Sequence, residues 1–140
     1  MSSVSIVTFE RSKVVHIPSQ FEHWGLFVRY EDGTDKLYHA DKTALTNIQT
    51  KYEEKDWSPS KSKKMDCIVL VGYTSPTFNQ DAMTKACEDV TRDRVFNTLS
   101  NNCQEWVKGV LSSLISNNYL AEAAFEELKF DSEITPLLGW

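Results

Sequence analysis

Cationic charge is in short supply: 15 lysines and arginines stand against 20 aspartates and glutamates, a formal net charge of -5 over 140 residues. Phosphate backbones and anionic membrane surfaces both require a cationic footprint, so nucleic acid is excluded as a general partner. The one basic cluster, "KSKK" at Lys61 to Lys64, sits in a Ser/Pro-containing stretch and reads as a solvated connector. Long apolar runs are missing as well, and nothing approaches the ~20 residues of a membrane span. The opening "MSSVSIVTFERSK" has no basic leader followed by an apolar run, which makes the cytoplasm the expected compartment. Cysteine is sparse and odd in number, three in all, with no CxxC pair. A disulfide framework and a structural zinc site are both excluded on that ground, and no metal or cofactor is expected. There is no internal repeat and no low-complexity tract.

What is present is an ordinary globular composition, 41% hydrophobic and 25% charged. The length suits a single domain, 1–140, with one sizeable core. The N-terminal half reads as strands. "VSIVTF" and "KVVHI" are β-branched and joined by a short polar turn, and "HWGLFVRY" and "KLYHA" flank the hairpin signal "EDGTD". "LTNIQTKY" is a weaker strand, "EEKDWSPSKSKK" reads as a polar loop, and "DCIVLVGY" runs apolar without alternation, as a strand buried on both faces does. Trp57 in that loop is either a tethering aromatic or part of a lid.

The C-terminal half reads as helices. Met83, Ala86, Cys87 and Val90 form one stripe at helical spacing from Gln80 to about Thr91. Trp106, Val107, Val110, Leu111 and Leu114 form a second stripe from Cys103, and Leu120, Ala121, Ala124, Phe125 and Leu128 a third. The tail "ITPLLGW" is apolar enough to dock. Strands first and helices after imply an α+β domain, an antiparallel sheet with helices packed on one face.

The cysteines are not equivalent. Cys87 lies within a helical stripe and Cys67 at the start of an apolar strand, as small core residues do. Cys103 follows Asn101 and Asn102, good N-cap residues, and so falls in a helix's first turn. Unpaired N–H groups and the positive end of the helix dipole favour a thiolate there. A thiolate needs a base, and the chain offers His16, His23 and His39. A two-residue Asp32-Gly33 turn would pair Leu26 with His39 and put His23 and His39 on opposite faces. A three-residue loop, Glu31-Asp32-Gly33, pairs Gly25 with His39 and puts both histidines on one face. Trp24, Leu26, Val28, Tyr30 and Tyr38 then form the core surface. His16, beside Val15 and Ile17, is an alternative base.

"HWGLFV", "LYHA" and "NNCQEW", in that order, resemble the circularly permuted papain-like branch of the NlpC/P60 superfamily that includes lecithin:retinol acyltransferase. The resemblance runs from His23 to about Leu111. It implies a permuted papain-like fold, Cys103 as nucleophile, His23 as general base, His39 as the residue orienting it, and the Cys103 backbone N–H as an oxyanion donor. The implied activity is a cysteine-dependent acyltransferase, amidase or hydrolase working through a thioester acyl-enzyme on a small-molecule or peptide acyl substrate. "CQEW" stands where the acyltransferases carry "CEHF", and the hairpin is longer than theirs. Their membrane-anchoring C-terminal helix has no counterpart, which argues against a phospholipid substrate. The permuted PPPDE isopeptidases also join an early strand histidine to a late "NNC", but need one histidine only. A non-catalytic binding protein keeping the fold is the reading from another class, and oligomeric state is open.

Overall fold

A computed structural model of the chain describes residues 1–9, 23–42, 50–58, 65–92 and 103–121. Five strands and two helices lie within them: β1 (Ser3–Phe9), β2 (His23–Arg29), β3 (Asp35–Lys42), β4 (Thr50–Asp56), β5 (Met65–Tyr73), α1 (Gln80–Thr91) and α2 (Cys103–Ser116). The strands form one antiparallel sheet in the order β4-β3-β2-β1-β5. The fold is α+β.

The period-2 alternation of β2 sends Trp24, Leu26 and Val28 to one face. There they join Val4 and Ile6 of β1 and Tyr38 and Ala40 of β3 in a core shared with both helices. The α1 stripe is as expected: Met83, Ala86 and Cys87 are buried, and Val90 packs against the same core from its edge. Asn79 caps α1, its Oδ1 accepting from the Ala82 N–H at 2.9 Å, which satisfies one of the helix's unpaired donors. In α2 all five stripe residues, Trp106, Val107, Val110, Leu111 and Leu114, have no exposed surface. Full burial of such side chains contributes about 1.5–3 kcal/mol each, so packing and not local propensity holds this helix. It ends at Ser116, after which Asn118 takes φ of +64°. Tyr119 then accepts a bond from the Ser75 N–H at 2.9 Å, fastening this end of α2 beyond the end of β5.

Two expectations need correction. "DCIVLVGY" does not form a strand buried on both faces. It forms β5, at one edge of the described strands: Val69 and Val71 enter the helix-side core, while Ile68 (37%), Leu70 (50%) and Tyr73 (62%) are exposed. A continuous apolar run cannot announce which face has a partner. Nor is "EEKD" a loop, since it forms the greater part of β4, paired to β3 at the other edge of the described strands. Charged residues suit that place, because a charged edge resists pairing with other chains. Lys36 of β3 bridges Glu54 (3.1 Å) and Asp56 (3.5 Å) across the pair. The strand expected at "KVVHI", with His16, the "KSKK" connector, the bulk of the third helical stripe and the "ITPLLGW" tail lie outside the described residues.

Candidate active site

The hairpin joining β2 to β3 uses the three-residue loop. The Tyr30 N–H donates to the Thr34 carbonyl at 2.8 Å, and the Gly33 N–H to the Tyr30 carbonyl at 2.9 Å. Gly33 takes φ of +92°, the left-handed conformation that closes such a loop with a bulge. Asp32 accepts the Thr34 N–H at 2.9 Å, and this bond holds its carboxyl below the ordinary value. Arg29 clamps Asp35 at the strand ends through two bonds of 3.0 and 3.1 Å.

That loop sets the register Gly25↔His39 and so brings the two histidines onto one face. His23 Nε2 lies 3.0 Å from His39 Nδ1, the rings meeting edge to face with centroids 5.0 Å apart. Gly25 makes this approach possible through its lack of a side chain. A Cβ there would meet Leu37 Cδ1 at 3.0 Å, the Tyr38 carbonyl oxygen at 3.1 Å and His39 Cβ at 3.4 Å. Gly25→Ala is therefore expected to push β3 away from β2 and to destabilise the fold by about 1–3 kcal/mol in urea unfolding. A Gly25→Ala protein with unchanged stability would show that the contact is not tight.

On the same face, β4 supplies a residue that the sequence did not mark. Glu53 pairs directly with His39 in the β3–β4 register, and its Oε2 lies 3.2 Å from His39 Nε2. Glu53, His39 and His23 thus form one chain of polar contacts over three adjacent strands. Trp57 closes a small apolar cluster beside them with Val7, Phe27 and Leu37. It is buried, its backbone N–H donates to the Asp35 carbonyl at 3.3 Å, and its ring meets those of Phe9 and Phe27 edge-on at 5.8 and 5.6 Å. Of its two readings, the tethering one fits this packing.

Cys103 is the first residue of α2, as the Asn-Asn-Cys stretch predicts, and its side chain lies outside the described residues, as do Asn101 and Asn102. The far end of α2 is fastened near Ser75 by the bond to the Tyr119 carbonyl. The helix packs on the Trp24 face, whereas the imidazoles stand on the opposite one. Cys87, the other helical cysteine, is fully buried, and burial pushes its thiol well above the ordinary range. Among the described residues, no group of three or more His, Cys, Asp or Glu is disposed to hold a metal ion, and no helix is long and apolar enough to cross a membrane.

A family model, described as a family of unknown function (DUF6540), matches residues 10–121. The chain belongs to the DUF6540 family. No curated protein and no solved structure matches it. The DUF6540 match takes in β2 through α2, and with them His23, His39, Glu53 and Cys103.

Proposed function

We propose that this DUF6540 protein is a cysteine-dependent acyl-transfer enzyme of the permuted papain-like, NlpC/P60-related kind. The observation carrying the reading is the 3.0 Å contact between His23 Nε2 and His39 Nδ1. It engages Nε2 of the His23 ring, and we assign Nδ1 as the atom that takes the thiol proton. In the proposed reaction that proton passes from Cys103 to His23. The thiolate then attacks an ester, amide or thioester carbonyl, with the Cys103 N–H donating to the developing oxyanion. The leaving group takes the proton from His23, and water or another acceptor releases the acyl group from sulfur. A small-molecule or peptide acyl substrate is the proposed class, and the cytoplasm the proposed compartment.

The position of the imidazoles, on the face away from α2, favours a second reading, a non-catalytic protein in which the histidine pair only braces the hairpin. Labelling with iodoacetamide at about pH 6 separates the two, because an ordinary thiol has well under one per cent thiolate there. The enzyme reading expects Cys103 to react many times faster than a free thiol, with Cys87 unlabelled in the folded protein. Reaction at Cys103 no faster than that of glutathione supports the bracing role.

A further inference from the structure

The geometry points to Glu53 as a positioning residue that sets, through His39, the ring tautomer in which His23 can accept a proton at Nδ1. Its catalytic meaning rests on the enzyme reading above, whereas the placement of the ring protons does not. Glu53 Oε2 lies 3.2 Å from His39 Nε2, a close contact without hydrogen-bond alignment, and a carboxylate at that distance favours the form of a neutral ring that carries its proton on Nε2. A neutral ring has one N–H, and His39 Nδ1 is left with a lone pair. His23 Nε2, 3.0 Å from that lone pair, must then be the donor. By the same count the lone pair of a neutral His23 ring lies on Nδ1, the atom that takes the thiol proton in the proposed reaction. The reverse order would aim a His39 lone pair at the carboxylate and put a proton on His23 Nδ1, where no base could act.

The cross-strand pairing makes this order a property of the sheet. His39 faces Gly25 on one side and Glu53 on the other, so its ring is held between two strands. Glu53 is half-exposed (54%), where even a full ion pair would contribute at most about 1 kcal/mol to stability and a contact to a neutral ring less. A role in stability is therefore a poor reason for the contact, and orientation of the ring a better one.

The test uses the whole chain, labelled with nitrogen-15 at histidine, at about pH 8, above the ordinary imidazole range. Correlation spectra of the ring nitrogens show which nitrogen of each ring carries the proton. In the wild type the proton is expected on Nε2 of both rings. Glu53→Gln keeps an acceptor oxygen and is expected to retain that order. Glu53→Lys places a donor against His39 Nε2 and is expected to move the proton to Nδ1 in both rings. In the same variants, acylation of Cys103 by p-nitrophenyl acetate, followed by intact mass, is expected to slow about a hundredfold in Glu53→Lys and to stay near wild type in Glu53→Gln. Unchanged ring signatures in Glu53→Lys, or Nδ1 protonation in the wild type, would overturn the inference. If the rings switch as expected while Cys103 is inert in every variant, the tautomer assignment holds and the enzyme reading alone is lost.

Discussion

Cys103→Ala is expected to abolish the acyl adduct that p-nitrophenyl acetate and related activated esters leave on the wild-type chain, with thermal unfolding close to that of the parent. Both halves have a physical basis. The sulfur is the only proposed atom to which the acyl group can attach, so its removal leaves no slower route by the same path. The helix that Cys103 opens is held further along, by five side chains with no exposed surface. His23→Gln is expected to retain the adduct but to form it ~10²–10⁴ times more slowly, the usual contribution of a positioned base. An adduct surviving at full rate in Cys103→Ala would move the chemistry to another residue. A full rate in His23→Gln would remove the base from the mechanism.

The second large effect concerns Trp106, three residues into α2. Its side chain is fully buried, and its Nε1 donates to Thr91 Oγ1 at 2.9 Å. That hydroxyl in turn donates to the Cys87 carbonyl at 2.6 Å. The indole thereby ties the first turn of α2 to the last turn of α1 and fills space over the sheet. Trp106→Ala should cost about 3–5 kcal/mol, the usual loss for a large aromatic leaving a cavity. With about 3 °C of melting temperature per kcal/mol in a domain of this size, calorimetry should show a fall of about 10–15 °C. Trp106→Phe keeps most of the apolar volume, loses the hydrogen bond, and should cost about 1–3 kcal/mol. Equal losses in the two variants would mean that the hydrogen bond, not the packing, carries the effect.

Several elements were legible for reasons the structure bears out. The 3.6-residue spacing of Met83, Ala86 and Cys87, and of Trp106 through Leu114, marks helix faces because those faces must be buried against one core. Trp24, Leu26 and Val28 alternate on a strand with one helix-covered face, and their period survives in the fold. The hairpin was half-legible. "EDG" admits two loops that differ by one residue, and the choice decides whether His23 meets His39. The left-handed Gly33 and the bond from the Tyr30 N–H to the Thr34 carbonyl settle it. Glu53 gave no local signal, since one carboxylate among Glu53, Glu54 and Asp56 looks like any solvated run. Its meaning comes from lying opposite His39, a pairing between distant parts of the chain.

By its own periodicities and turn chemistry, the sequence determined an α+β domain, the two helices, the hairpin and the place of Cys103 at a helix start. Only the tertiary structure decided that β5 has one exposed face, that β4 is a charged edge, and that Glu53, His39 and His23 share one side of the sheet. The division has a physical cause. Local patterns record which side of an element must avoid water, whereas strand order and register across loops depend on the whole set of elements competing for one core.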